Sequence, residues 1–162
     1  MKIQSKNQKI SIIIVNYNNA RFLTKSINSA LDQTYLRKEI IVVDDNSTDN
    51  SLKILKNFKK HIVLIKNKKK TSEGSFNQIN CYHKGFLKSK GEYLFFLDSD
   101  DYFKKNKIEL IIHEFKRKKN LDLICDLPIW KYQKKKLKKN LNKRKSKFLY
   151  PFQMKKIMLL LL

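Results

Sequence analysis

The chain has 162 residues, with 37 Lys and Arg against 14 Asp and Glu and a formal net charge of +23. That length suits one α/β-sized core rather than several domains, and two cysteines without metal or redox spacing, Cys81 and Cys125, read as reduced core residues of a reducing compartment. The positive excess predicts non-specific adhesion to nucleic acid or anionic membrane at low salt but assigns no function, and without arginine forks or aromatic-glycine signatures no specific nucleic-acid partner is expected.

The first apolar run, Ile10 to Val15, reads as a strand over 10–15 and ends in Asn16-Tyr17-Asn18-Asn19. It is too short for the apolar core of a signal peptide. A helix over 20–33 follows. A second strand over 39–44, Glu39-Ile40-Ile41-Val42-Val43, delivers the chain into Asp44-Asp45-Asn46-Ser47-Thr48-Asp49, and Leu52, Leu55 and Phe58 mark a helix over 49–59. The pattern then predicts a strand over 61–66, a helix over 76–89, a strand over 92–97, a helix over 104–119 and a strand over 121–125. Strands alternating with helices predict a mostly parallel sheet, because each crossover helix returns the chain to the same side.

The strand Tyr93-Leu94-Phe95-Phe96-Leu97 runs directly into Asp98-Ser99-Asp100-Asp101. Two readings fit. These residues could cap the helix carrying Ile108, Ile111, Ile112 and Phe115, or three carboxylates at a strand tip could hold a cation. Oxygen ligands without His or Cys suit Mg²⁺ or Mn²⁺, which keep waters and share the rest of their shell with phosphates. The second acidic tip, Asp44-Asp45, favours the cation, since parallel strands bring both tips to one crevice. Only Gly74, Gly85 and Gly91 are available, and they form neither a G-x-G nor a Walker pattern, which argues against a dinucleotide or P-loop enzyme.

In order and spacing, Ser11-Ile12-Ile13-Ile14-Val15-Asn16-Tyr17-Asn18, Ser29-Ala30-Leu31-Asp32-Gln33-Thr34-Tyr35, Glu39 to Asp49, and Gly91-Glu92-Tyr93 leading to Leu97-Asp98-Ser99-Asp100-Asp101 resemble the signature blocks of family 2 glycosyltransferases. The resemblance covers about the first 125 residues. It implies a GT-A-like three-layer α/β/α sandwich with a Rossmann-like donor-binding half. It also implies an inverting, metal-dependent enzyme that moves a hexose-type sugar from a nucleotide sugar, a uridine diphosphate sugar above all, to a glycan or lipid-linked acceptor in cell-surface polysaccharide synthesis. By the same resemblance Val15 and Tyr17 would flank the nucleobase and Asp45 would accept the N3 hydrogen of uracil. Asp98 and Asp100 would form the Asp-X-Asp motif, Asp98 near the ribose and Asp100 on the Mn²⁺ or Mg²⁺ that bridges the diphosphate. Asp44 and Asp101 would fix loop geometry or the water shell, and for Asp44 a plain turn role reads at least as well.

Two stretches depart from the family. Tyr82-His83-Lys84-Gly85 stands where an Arg-Asn pair and a glycine are usual, and His83 reads as structural, as does His113 within its amphipathic helix. Lys68, Lys69 and Lys70 could reach a diphosphate but read better as a solvated loop. From Leu127 to Leu162 there is no Asp or Glu, so the downstream carboxylate that serves the family as general base has no counterpart, and no catalytic base is assigned. The expected organisation is a nucleotide-sugar-binding domain over 1–126 and a lysine-rich tail over 127–162, as a truncated acceptor half would leave. An inactive donor-binding fragment and a basic nucleic-acid-binding module are the alternatives. The tail Ile157 to Leu162 is too short to span a bilayer and reads as the start of a longer helix. With Lys131 to Lys156 before it, peripheral contact with an anionic membrane and a solvated basic tail both fit, at a cytoplasmic location.

Overall fold

A computed structural model describes residues 8–68, 75–118, 122–126 and 156–160. Among the described residues are six strands and four helices, in the order β1 (Ile10–Asn16), α1 (Ala20–Leu31), β2 (Lys38–Asp44), α2 (Ser51–Asn57), β3 (Val63–Lys66), α3 (Ser75–Lys88), β4 (Tyr93–Asp98), α4 (Lys107–Arg117), β5 (Leu123–Asp126) and β6 (Lys156–Leu160). They form one sheet in the order β3-β2-β1-β4-β6-β5, and every pairing is parallel.

The three central strands are apolar on both faces because helices cover both, as parallel sheets require. Side-chain alternation then sorts the core. Ile10, Ile12 and Ile14 of β1, Ile40 and Val42 of β2, and Tyr93, Phe95 and Leu97 of β4 pack with Leu23, Ile27, Leu55, Ile108, Ile112 and Phe115 of α1, α2 and α4. Ile13, Val15, Ile41, Val43, Leu94 and Phe96 pack on the opposite face with Cys81, Tyr82 and Phe86 of α3. The result is the expected three-layer α/β/α sandwich.

Two glycines let backbones approach where a side chain would collide. A Cβ on Gly85 would lie 2.4 Å from Ile13 Cγ2, so α3 sits directly on β1 there. A Cβ on Gly91 would meet Ser11 N at 2.4 Å and the Ile10 carbonyl carbon at 2.5 Å. At that end of the sheet Ser11 Oγ accepts the Gly91 N–H (2.8 Å) and donates to Glu39 (2.6 Å), which also takes Lys9 Nζ (2.6 Å) and the Lys90 N–H (2.6 Å). Burial alone would raise the Glu39 acid; the bonds from Lys9, Ser11 and Lys90 outweigh it and hold the acid below its usual value.

The expected helix at the C-terminus is corrected by the structure. Lys156–Leu160 is a strand, paired with β4 on one side and β5 on the other. A six-residue apolar run does not distinguish strand from helix by periodicity, and its length favours a strand. Lys69 and Lys70, and the lysine-rich stretch from Lys131 to Lys147, lie outside the described residues.

Two outcomes follow for stability. Gly91→Ala must push two main-chain segments apart, and its urea midpoint should fall by an amount equivalent to about 2 kcal/mol, as overpacking typically costs. Because Glu39 has a lowered pKa, its contribution is complete above the ordinary carboxylate value of about 4.3 and is lost as pH falls through the folded value. Glu39→Gln should therefore narrow the stability gap between wild type and variant as denaturation is measured from pH 6 down to about pH 3.

Candidate functional site

The parallel register sets the tips of β1, β2 and β4 side by side. Asn16 pairs with Asp44 and Val15 with both Val43 and Asp98. Beyond β1 and β2 the two loops are knitted together. Asn16 Nδ2 donates to Asp44 Oδ1 (2.8 Å) and to Ser47 Oγ (3.1 Å), while Asp44 also accepts Ser47 N–H (3.0 Å) and Ser47 Oγ–H (2.7 Å). Asn18 N–H donates to Ser47 Oγ (3.0 Å), and Asn18 Oδ1 accepts the Thr48 N–H (2.8 Å). Asp44 is 1 % exposed, so its carboxylate is a buried bracket for the loops, in agreement with the turn reading.

The turns rely on asparagines: Asn18 and Asn46 have φ of 50° and 58°, left-handed values that asparagine tolerates better than most residues. Asp49 then anchors two helices at once, accepting the N–H of Ala20 at the start of α1 (2.9 Å) and of Ser51 at the start of α2 (2.9 Å). Slight burial would raise its acid, but these bonds hold it low.

Asp98 lies on the α3 side of β4. Its Oδ1 accepts Gln78 Nε2 (2.8 Å) and the Tyr82 hydroxyl (2.5 Å). Burial, then the Asp98 charge, pushes the Tyr82 phenol far up, so it stays a donor. Ser99 lies on the other face, where its Oγ accepts from Asn19 Nδ2 (3.0 Å). Asp100 is exposed and Asp101 half-buried. Burial raises the Asp101 acid, and the neighbouring Asp100 and Asp98 charges raise it further.

Of the nucleobase candidates, Val15 is buried on the α3 face, Tyr17 is 42 % exposed at the β1 tip, and Asp45 is 5 % exposed. Asp45 Oδ1 accepts Asn67 Nδ2 (2.8 Å); Asn67 also donates to Cys81 Sγ (3.2 Å) and accepts Lys84 Nζ (2.6 Å). Burial and then the Asp45 carboxylate push the Cys81 thiol up to about 11. All five site residues expected from the sequence therefore stand along one sheet edge, at the tips of β1, β2 and β4. Among the described residues no three His, Cys, Asp or Glu side chains form a group able to hold a metal by themselves.

Sequence reasoning missed Asn67, Gln78, Tyr82 and Lys84 as partners of the acidic residues. Asn67 is the first residue beyond β3, and Gln78 and Tyr82 stand four apart on α3, the spacing that puts two side chains on one helix face. His83 and His113 are exposed on the outer surfaces of α3 and α4.

Gln33 serves a different end. Its amide nitrogen donates to Ser29 O (2.9 Å) and Lys104 O (2.8 Å), and its oxygen accepts the Ile108 N–H (3.1 Å). With Phe103 N–H on Ser29 Oγ (3.0 Å) and Ser26 Oγ on Asp98 O (3.2 Å), it ties the segment after Asp101 against α1.

The family model described as glycosyl transferase family 2 matches residues 11–161. The chain belongs to glycosyltransferase family 2. It is 42 % identical over 105 residues to the Escherichia coli UDP-Glc:alpha-D-GlcNAc-diphosphoundecaprenol beta-1,3-glucosyltransferase WfaP, covering 64 % of this chain and 40 % of that protein. It is 36 % identical over 121 residues to the poly(ribitol-phosphate) beta-N-acetylglucosaminyltransferase TarP of Staphylococcus aureus, covering 72 % of this chain and 36 % of the relative. Among solved structures, S. aureus TarS 1–349 in complex with UDP-GlcNAc superposes with a TM-score of 0.59 at 26 % identity, over 74 % of this family 2 chain and 34 % of TarS. The fold is thus that of the GT-A glycosyltransferases, and the chain spans less than half the length of the curated relatives it matches.

The raised Cys81 pKa makes a direct expectation for the α3 side of the site. In a Cys125→Ser variant, the remaining thiol should react with a disulfide reagent at pH 8 at least tenfold more slowly folded than in urea, about what a thiolate fraction lowered by burial implies. A folded rate equal to the unfolded one would place Cys81 in solvent.

Proposed function

We propose that this chain binds a uridine diphosphate sugar along the carboxylate-bearing sheet edge and serves the transfer of its hexose-type sugar, with inversion, to a glycan or lipid-linked acceptor in cell-surface polysaccharide synthesis. The observation that carries the reading is the pair of acidic tips, Asp44-Asp45 and Asp98 to Asp101, held on one edge of a parallel sheet in a family 2 frame. WfaP is named for a UDP-sugar donor and a lipid diphosphate acceptor, TarP for a phosphate polymer acceptor, and TarS holds UDP-GlcNAc; these names support the donor and acceptor classes.

Tyr17 and Val15 flank the uracil, and Asp45, held by Asn67 through one oxygen, accepts the base N3 hydrogen with its carboxylate. Asp98 faces the ribose. Gln78 and Tyr82 keep its charge oriented, and because the Tyr82 phenol does not ionise near neutral pH the bond persists there.

The residues fit a divalent cation. The donor set is all carboxylate oxygen, it is crowded enough to raise the Asp101 acid, and Asp100 is exposed at the tip, Asp98 half-buried beside it. Fewer than three protein ligands suit Mg²⁺ or Mn²⁺, which complete their shell with water and phosphate. Asp100, with Asp98, would hold the ion, which when bound would neutralise charge developing on the departing nucleoside diphosphate. An acidic tip repels a bare diphosphate, so nucleotide and ion bind together. The lysine-rich stretch before β6 favours peripheral attachment at the cytoplasmic face of an anionic membrane.

Calorimetric titration with uridine diphosphate, with and without Mn²⁺, at salt that suppresses lysine-driven adhesion, tests the reading. Asp100→Ala should abolish the metal-dependent part of binding and leave the fold unchanged by circular dichroism. Asp45→Ala should weaken uridine diphosphate by about tenfold, the value of one hydrogen bond to a charged group, while leaving adenosine diphosphate unaffected. Binding that ignores both Mn²⁺ and Asp100 would sink the metal assignment, and an equal loss for both nucleotides would sink the base-reading role of Asp45.

A further inference from the structure

A groove of about 690 Å³ runs between α1 and the segment that follows the acidic tip of β4. One wall is a stripe of α1 made by Arg21, Lys25 and Asn28, continued by Asp32 just beyond the helix end, spaced three and four apart as one helix face requires. The other wall is Tyr102, Phe103 and Lys105. Arg21 and Asp32 stand eleven positions apart, so at about 1.5 Å per residue the stripe is roughly 16 Å long. Arg21 is the second residue of α1, beside the strand tips, and Tyr102 stands two residues beyond Asp100. The groove therefore starts at the acidic edge and leads away from it.

Its walls are held. Gln33, Ser29 and Ser26 fasten the 98–108 segment to α1 through the bonds described above, so the two sides keep their separation without a ligand. Its charge is opposite to that of its neighbour. Lys25 Nζ lies 3.5 Å from the centre of the Tyr102 ring, and among the described residues Arg21, Lys25 and Lys105 have no carboxylate ion-pair partner. The one carboxylate in the lining, Asp32, is at the far end, where its charge acts on Lys38.

We infer that this groove receives a phosphate group carried by the acceptor, gripped by Arg21 and Lys25 with Lys105 opposite. The inference deepens the proposed function and rests on its reading of the acidic edge as the donor site. Asp98, Asp100 and Asp101 repel any phosphate that arrives without a cation. The groove two residues further on attracts one directly, with a guanidinium fork and ammonium groups that favour phosphate oxygens. Two adjacent surfaces of opposite sign divide the work between two phosphate-bearing substrates: one enters with a metal, the other without. Tyr102, exposed over the buried Phe103, gives the carbon skeleton beside the phosphate an apolar wall.

The test uses the whole chain saturated with uridine diphosphate and Mg²⁺, so that the donor site is filled, in about 0.15 M salt, where exposed charges more than a Debye length apart are screened. Glycerol 3-phosphate and farnesyl diphosphate are titrated separately, followed by heat and by ³¹P line broadening. The Arg21→Gln/Lys25→Gln variant should bind both about tenfold or more weakly, the loss expected for charge-assisted bonds to phosphate. Lys53→Gln/Lys56→Gln, which removes the same charge from α2, should bind as wild type does, and both variants should keep wild-type affinity for uridine diphosphate with Mg²⁺. Equal losses in the two double variants, or no loss in the first, would overturn the groove. Tighter binding of farnesyl diphosphate assigns the phosphate to a lipid diphosphate, and tighter binding of glycerol 3-phosphate to a polyol phosphate chain. Asp100→Ala separates the two proposals: it should lose uridine diphosphate yet bind both probes in the absence of Mg²⁺. If it keeps uridine diphosphate, the donor reading fails while the groove is still judged by Arg21 and Lys25.

Discussion

The bond from the Asn16 amide to the Asp44 carboxylate, closed off from water between two parallel strands, is the constraint on which the functional edge depends. A buried carboxylate is costly unless its oxygens are hydrogen-bonded. Asp44 meets that demand from Asn16 and from Ser47, and so draws the loop after β2 over the tip of β1. Asn18 and Thr48 complete the seam, and Asp49 fastens the starts of α1 and α2 to the same loop. With that loop in place, Asp45 is turned towards α3 and Asn67. The acidic tips along this edge are thus held in place by the hydrogen-bonded carboxylates of Asp44 and Asp49.

The two faces of the sheet contribute unlike things. On the α3 face, the close approach at Gly85 brings Gln78 and Tyr82 within bonding distance of Asp98, and Cys81 and Lys84 to Asn67 beside Asp45. On the α1 face, Gln33 and Ser29 hold the segment after Asp101, which forms a wall of the basic groove. Because β4 alternates its side chains, Asp98 belongs to the first arrangement and Ser99 to the second. One tetrapeptide thereby joins the α3 side to the groove side.

Much of this was legible in the sequence. The strands at Ile10, Glu39 and Tyr93 announce themselves as uninterrupted apolar runs, since both faces are covered, and each ends in polar residues at the edge where parallel strands place ligands. The role of Gln33 was not legible. A glutamine at the end of a helix pattern reads as solvent-exposed, and only the fold shows that its amide reaches Lys104 and Ile108 more than seventy residues on. The strand at Lys156–Leu160 was misread for a related reason: a short apolar run takes its structure from the slot that receives it, here between β4 and β5.

By itself the sequence determined the order of elements from β1 to β5, the parallel sheet, the family and the carboxylates at the strand tips, because these rest on local periodicity and on motifs a few residues long. The tertiary structure alone decided which carboxylates brace the loops and which face the crevice. It also decided which partners from α3 and β3 orient them, and that α1 and the 101–105 segment enclose a basic groove beside an acidic edge. Those outcomes depend on side chains far apart in the chain meeting across a packed sheet, and no local pattern encodes such distances.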